Sequence, residues 1–442
     1  MQDNCGVFGI CSAQNCLMDL YYGTFYLQHR GQQYCGLSTY DGKEIKLRTH
    51  KGLIRATFTD DLDGLEGYVG IGHVSLNVRQ PIKLHSRMGE FSVCFSGNIV
   101  NLNAIVAEFK SRGHSLANAD EIEVMGKLIA SGKDFVSGIE RARRKIKGSY
   151  SLLVLTRDGI YAARSPMGHR PLILGRRGHT VAVASESCAF NNLGISIVRD
   201  VKPGEIVRLH GEIDLLRSEQ IETLKTCRAR RIQYCAFEWV YIANAASVID
   251  GECVDVVRQR IGASLARRYP VEADLVAAVP NSGIGHGIGY AQESGIPYDR
   301  VFLRYDYADR SYTQSTQQER EREAQIKLIP ITEKIRGKRV VLLDDSIVRG
   351  TQMKMDMARK LKNAGVKEIH VRIACPPLVA PCRYGRSTRG KDELLANRMP
   401  VEKIPKYLGV NSVGYNTIDD LVKAIGHREK DLCLSCWTGK YY

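Results

Sequence analysis

Four apolar residues, Val340-Val341-Leu342-Leu343, run without a break into Asp344-Asp345 and then into Ser346-Ile347-Val348-Arg349-Gly350-Thr351. A short strand that is apolar at every position fits only where both faces of a sheet are covered, as in the middle of a parallel sheet. The turn that follows carries Ser, Gly and Thr and opens a helix, so backbone N–H groups and hydroxyls gather where a phosphate can be held. Vicinal carboxylates at the end of the strand suit sugar hydroxyls and a hard cation such as Mg²⁺. Ligands of open α/β sheets bind beyond the carboxyl ends of the strands. These residues therefore point to a ribose phosphate.

The chain has 442 residues, enough for two or three domains with substantial cores. From about residue 230, strands alternate with amphipathic helices, the pattern of a parallel sheet. A helix is expected over 252–268, a strand over Leu275–Val279, and a further strand through Ile369, Val371 and Ile373. Met353, Met357, Leu361 and Ala364 recur at helical spacing up to Gly365, a C′ position. Residues 1 to about 225 read instead as short strands and turns around a few helices, for example Tyr68–His73, Ser149–Leu155 and Val181–Ser185. No Pro- or Ser-rich linker separates the halves, so close packing between them is expected.

With 44% apolar and 25% charged residues the composition is that of a soluble globular protein. Met1–Leu20 lacks the basic start and apolar run of a secretory signal. Apolar runs such as Leu275–Val279 fall far short of the roughly 20 residues needed to span a bilayer. A cytoplasmic protein is expected. The net charge of +15 is concentrated in places, as at Arg228–Arg231 and Arg141–Lys145. Neither cluster is interleaved with aromatics, so the expectation is a solvated basic surface that draws in a small polyanionic substrate, with no nucleic acid and no membrane partner.

Thirteen cysteines in a cytosolic chain do not form a disulfide framework. Cys433 and Cys436 make a C-x-x-C near the C-terminus, the local spacing of a zinc or iron–sulfur site, and spacing alone does not choose between them. Cys11, Cys16, Cys94, Cys188 and Cys375 sit in apolar settings and read as small core residues. Cys5 would become an N-terminal cysteine if Met1–Asn4 were removed. Its α-amino group, with a pKa of about 8, could then take the thiol proton.

The segment Val340–Thr351 resembles the signature of type I phosphoribosyltransferases, which use phosphoribosyl pyrophosphate (PRPP). Cys5-Gly-Val-Phe-Gly-Ile10, Tyr26-Leu-Gln-His-Arg-Gly-Gln32, Arg170-Pro-Leu172 and Ser185-Glu186 resemble the class II glutamine amidotransferases. Pro280-Asn-Ser-Gly283, Gly289–Pro297 and Cys433–Gly439 continue the likeness, in order, to the C-terminus. Together they resemble the glutamine PRPP amidotransferases, also called amidophosphoribosyltransferases, in their iron–sulfur branch. The implied fold is a two-domain α/β chain. An N-terminal-nucleophile (Ntn) class II glutamine amidotransferase sandwich would span 1–225, and a type I phosphoribosyltransferase parallel sheet 226–442.

The resemblance implies glutamine hydrolysis in the first domain and attack of the ammonia on PRPP in the second, giving 5-phosphoribosylamine, the committed step of purine synthesis. Cys5 is the implied nucleophile, with Ser96 and Gly97 at the oxyanion positions and Arg30, Ser75 and Glu121 facing glutamine. Asp344 and Asp345, helped by Ser282, would hold the ribose and Mg²⁺, and Ser346, Ile347, Val348, Arg349, Gly350 and Thr351 the 5′-phosphate. Arg304, Tyr307, Arg310 and Gln317 belong to a loop that would close over PRPP and exclude water. Cys235, Cys382, Cys433 and Cys436 match the ligands of a [4Fe-4S] cluster, which favours iron over zinc. A homo-oligomer, dimer or tetramer, inhibited by purine nucleotides is also implied.

Departures from the family pattern fall mostly on the glutamine side. Ser75 stands where a glutamine-binding arginine is usual, Ser96 where an oxyanion-hole Asn is usual, Glu121 in place of Asp, and Ser165 in place of Asp. Arg79 is a candidate replacement for the missing cation. In the closing loop, Asp306 and Ser315 replace the usual Arg and Pro. Three readings stay open: an enzyme using glutamine, a synthase restricted to free ammonia or another nitrogen donor, and a non-catalytic PRPP or nucleotide sensor.

Overall fold

The first half pairs two antiparallel sheets whose central strands, such as Gly6–Cys11, Val69–Ser75 and Gly159–Arg164, are buried at every position and so need cover on both faces. The computed structural model describes residues 5–59, 61–211, 220–227, 231–305, 328–385 and 390–441. Seven strands lie in the order Ser196–Asp200, Ile173–Arg177, Thr180–Ala184, Gly6–Cys11, Val69–Ser75, Tyr34–Tyr40 and Ile45–Lys51, all antiparallel. Six more lie in the order Ile221–Thr226, Glu205–His210, Gly159–Arg164, Gly148–Thr156, Gly89–Ile99 and Ile82–Ser86, also antiparallel. Val7, Cys11, Ile71, Cys94, Leu153 and Val183 fill the space between the sheets. Helix Leu17–Phe25 covers the outer face of the first sheet, and Glu121–Ala130 packs on the outer face of the second. Phe135–Lys145 packs beside Glu121–Ala130, and the result is a four-layer αββα sandwich.

The second half holds four parallel strands, Leu275–Ala278, Arg339–Asp344, Glu368–Ile373 and Ser412–Tyr415, adjacent in that order. The helix expected from Glu252 begins at Val254, because Glu252–Cys253 pairs with Val248–Ile249 in a small hairpin. Its turn, Asp250-Gly251, is left-handed, with φ of 47° and 83°. The strand Glu368–Ile373 is covered on both faces, so its polar residues are buried with the apolar ones. His370 and Arg372 meet this by sharing the Ser412 hydroxyl, at 2.9 and 3.0 Å. Met353, Met357, Leu361 and Ala364 are buried as the spacing predicts, although Met353–Ala358 is wound as a π-helix. Gly365 takes φ +81°, as a C′ residue should.

The halves are not separate bodies joined by a tether. One hydrophobic cluster runs from Phe8, Leu20 and Phe190 through Phe237, Trp239 and Val240 to Val341 and Leu343. None of the thirteen cysteines is in a disulfide. Among the described residues, no helix is long and apolar enough to cross a membrane.

Candidate active site

The parallel strand Arg339–Asp344 delivers two carboxylates to its carboxyl end. Asp344 and Asp345 are both buried, and no lysine or arginine among the described residues lies within ion-pair distance of either. The Ser282 hydroxyl donates to Asp344 Oδ1 at 3.0 Å, from the turn after the neighbouring strand Leu275–Ala278. Ser346 Oγ donates to Asp345 Oδ2 at 2.6 Å. Burial and the charge of Asp345 raise the Asp344 pKa well above the carboxylate range, and burial raises that of Asp345. Two adjacent buried carboxyls, whose charged forms are disfavoured by burial and by each other, fit a divalent metal ion.

Residues 346–350 form the turn expected from the sequence, and the helix starts at Thr351. Gly350 takes φ +77°, and a Cβ there would come within 2.8 Å of Leu395. Leu395 N–H donates to the Val348 carbonyl at 2.8 Å. The Arg349 guanidinium pairs with Glu393, so its charge is partly committed before any phosphate arrives. Arg304 lies exposed at the end of the strand Phe302–Arg304. Tyr307, Arg310 and Gln317, with Asp306 and Ser315, lie outside the described residues.

The second cluster lies at one end of the sandwich. The ladders pair Gly6 with Val74 and Tyr34 with Ser75, so Cys5, Ser75 and Tyr34 fall in one cross-strand row. Val7, Val69 and Ile71 point into the inter-sheet core, and the same parity turns Cys5 and Ser75 toward the second sheet. Facing them is the end of the strand Gly89–Ile99, which carries Ser96 and Gly97. Glu121, at the first position of its helix, accepts from the Ile99 N–H at 2.9 Å and belongs to the same wall. Arg79 is exposed and lies 5.8 Å from the centre of the Tyr34 ring, at the far end of the Cys5 row.

Three of the expected side chains at this end are engaged by the protein itself. Arg30 does not present its guanidinium to a ligand. It is fully enclosed, bonded to Glu186, and bonded to Glu238 Oε2 at 2.6 Å, so both its charge and its donors are spent. The Ser96 hydroxyl donates to the carbonyl of Cys5 itself at 2.6 Å, which pins the nucleophile's strand but takes the hydroxyl away from an oxyanion. Ser75 Oγ likewise turns back to the Val78 carbonyl at 2.5 Å. Of the oxyanion pair expected from the sequence, the Gly97 backbone N–H is what remains.

The four expected cluster cysteines converge. Cys235 and Cys433 are paired residues in a short parallel ladder, and Cys382 and Cys436 are within hydrogen-bond reach of each other. The hydrogen bond with Cys436 and the nearby Arg170 guanidinium lower the Cys382 pKa to about 6, while the same hydrogen bond raises that of Cys436. A tetrahedral zinc site with Zn–S of about 2.3 Å sets thiolates about 3.8 Å apart. Among the described residues, a compact three-ligand group at such spacing is formed by His29, Glu186 and Cys188. The compact group is already occupied, since Glu186 accepts from Arg30, His29, the Asn244 N–H and the Ser247 hydroxyl. An arginine on the same carboxylate opposes a cation there.

Sequence reasoning missed this buried ionic group of Arg30, Arg170, Glu186 and Glu238, in which Arg170 Nη1 donates to Glu238 Oε1 at 3.2 Å. Its signal was present in the charged residues of Gln28-His29-Arg30 and Ser185-Glu186, but only tertiary contact brings Glu238 to them.

Comparison with known proteins bears on the whole chain. The family described as "Glutamine amidotransferase domain" matches residues 73–192. The amidophosphoribosyltransferase of Methanocaldococcus jannaschii is 40% identical, across 99% of this chain and 97% of its own. The chain belongs to the amidophosphoribosyltransferase family. The amidophosphoribosyltransferase of Bacillus subtilis is 34% identical across 100% of this chain and 94% of its own. The solved glutamine PRPP amidotransferase from B. subtilis, complexed with ADP and GMP, superimposes with a TM-score of 0.91 at 33% identity, covering 99% of this chain and 97% of that one. The two-domain architecture of an amidophosphoribosyltransferase, sandwich followed by parallel sheet, is therefore the architecture of this chain.

Proposed function

We propose that this amidophosphoribosyltransferase makes 5-phosphoribosylamine from PRPP, with ammonia drawn from glutamine at Cys5. The observation that carries the reading is the Asp344–Thr351 segment: buried vicinal carboxylates, the Ser282 hydroxyl and a Gly350 turn meet at the carboxyl end of one central parallel strand. In this reading Asp344, Asp345 and Ser282 bind Mg²⁺ and the ribose hydroxyls. Residues Ser346 to Thr351 hold the 5′-phosphate at the helix start. Pyrophosphate leaves C1 as ammonia attacks, and water must be kept from that carbon.

In the first half, the Cys5 thiolate attacks the glutamine amide carbon, ammonia leaves, and water later releases glutamate from the thioester. A free α-amino group on Cys5 would take the thiol proton, so the reading requires loss of residues 1–4, which intact mass checks. The Gly97 N–H serves the oxyanion. Arg79 supplies the cation for the glutamine carboxylate, since its guanidinium lies over the Tyr34 ring, the last member of a row in which Ser75 offers no charge. Mg²⁺ fits the carboxylate pair. A [4Fe-4S] cluster fits Cys235, Cys382, Cys433 and Cys436, four thiols that the fold gathers beside one another. The cluster would tie the C-terminal segment to the start of the second domain, proposed to span 226–442. A cytoplasmic homo-oligomer that responds to purine nucleotides, as the nucleotide-bound B. subtilis relative suggests, completes the proposal.

A second reading, an ammonia-only synthase, is favoured by the spent hydroxyls of Ser75 and Ser96 and the enclosed Arg30. PRPP-dependent pyrophosphate release, run with glutamine and with ammonium on anaerobically purified protein, decides between them. Comparable rates support glutamine use, ammonium alone supports the second reading, and release with neither removes both.

A further inference from the structure

A cross-strand pair of the first half reaches into the cysteine-bearing segment of the second. Asn98 and Ser149 face each other in the ladder between Gly89–Ile99 and Gly148–Thr156. Asn98 Nδ2 donates to the Arg383 carbonyl at 2.7 Å, and Ser149 Oγ donates to the Tyr384 carbonyl at 3.0 Å. These are the two consecutive carbonyls that follow Cys382, so one strand pair grips successive peptide groups of one turn. The Ser149 side of the grip is shielded from water, because Ser149 is fully buried. The His169 ring packs 4.0 Å from the Tyr384 ring, and a Cβ on Gly385 would come within 2.7 Å of Arg170 Nη2. The gripped turn is thus packed on three sides by the first half.

The same strand carries Ser96 and Gly97 immediately before Asn98. A Cβ on Gly97 would sit 1.9 Å from the Ser149 carbonyl oxygen, so no layer of side chain separates the Gly97 backbone from the gripping pair. Close-packed contacts of this kind transmit displacement rather than absorb it. A shift of the 383–384 turn is therefore passed to the strand end that faces Cys5. Thiolates joined to a common metal group would hold Cys382, and with it the carbonyls of Arg383 and Tyr384, in one place.

We propose that the Cys382 segment is a clasp on the glutamine site: Asn98 and Ser149 are positioning residues through which the metal-loaded cysteine quartet keeps the Gly97 strand end in register with Cys5. The inference rests on the reading of Cys5 and Gly97 given above. The test compares wild type with Asn98→Ala, Ser149→Ala and the double variant as full-length holoprotein. Amide exchange of the peptide covering Gly97–Ile99 and the rate of Cys5 labelling by a diazoketone analogue of glutamine are measured beside ammonium-dependent pyrophosphate release. The double variant should exchange at least about tenfold faster and label at least about tenfold more slowly, because errors near 1 Å are felt strongly in catalytic geometry. Ammonium-dependent release should stay within about twofold, since the side chains of Asn98 and Ser149 bond to Arg383 and Tyr384 and not to the Asp344–Thr351 segment.

Anaerobic removal of the metal group from wild type with a chelator should reproduce both changes and add less than about twofold in the double variant. Wild-type exchange and labelling in the double variant, or in the metal-free protein, would overturn the clasp, and so would an equal fall in ammonium-dependent release. If wild type neither hydrolyses glutamine nor takes the label, the Cys5 reading falls, and the exchange rates still decide the clasp.

Discussion

At the scale of single residues, the proposed glutamine site gives Arg79 a task for which position 75 carries no cation. Ser75 has no charge to offer a carboxylate, and Arg79 stands at the end of the same row. A charge-assisted contact is worth roughly 1.5–3 kcal/mol, so Arg79→Ala should lower kcat/KM for glutamine by about 10- to 150-fold. The ammonium-dependent rate should be unchanged, and steady-state kinetics with both donors checks this. Asp344→Asn should cut pyrophosphate release with either donor by about 10² or more, because it removes charge from a preorganised site. Circular dichroism should show the fold retained.

Asp200 makes a prediction about pH. Burial and the nearby Asp250 carboxylate raise its pKa from 3.8 to about 6. The folded state therefore holds this proton when the unfolded chain has lost it, so its contribution to stability falls as pH rises from 3.8 to about 6 and is flat above. Asp200→Asn keeps the acceptor for the Asp250 N–H, now 2.9 Å away, and removes the charge. At pH 7.5 it should be more stable than wild type by up to about 2–3 kcal/mol, and the difference should vanish near pH 4. His73 runs the opposite way: burial lowers its pKa to about 3, so its contribution is present above 6.5 and lost as pH falls toward 3.

At the scale of elements, the informative feature is how strands and segments are pinned to one another. His73 Nε2 lies 3.2 Å from the Phe95 carbonyl and joins the two sheets beside the nucleophile's strand. Arg30, Glu186, Glu238 and Arg170 do the same between the halves, all nearly inaccessible to solvent. Such groups are costly to bury and costlier to break. Arg30→Met should destabilise by about 3–5 kcal/mol, because Glu186 and Glu238 are left buried with fewer partners. Equilibrium unfolding measures the cost. A normal KM for glutamine in the surviving folded protein would show that Arg30 holds the frame and does not touch substrate.

At the scale of the whole molecule, chemistry is divided between two architectures joined by one continuous hydrophobic cluster, and the cysteine quartet sits where they meet. Anaerobic protein should carry about four iron and four acid-labile sulfide per chain, with the visible absorption of a cluster. Cys433→Ser should lower both contents and loosen the C-terminal segment, read as faster proteolysis after residue 390. One zinc per chain and no sulfide would remove the cluster. Much of this molecule was legible along the chain. Local order carries chemistry wherever one segment contains the whole device, and Val340–Thr351 holds strand, carboxylates, turn and helix start in twelve consecutive residues. The burial of Met353, Met357 and Leu361 was legible for the same reason, since their period is a property of one helix. What tertiary structure alone decided was which polar groups were already spoken for. Arg30 and Ser75 read as glutamine contacts, and Ser96 as an oxyanion donor, until Glu238, the Val78 carbonyl and the Cys5 carbonyl took their donors. A hydrogen bond satisfied by a partner 208 or 91 residues away leaves no trace in local sequence, because only the packed fold sets which donors remain free.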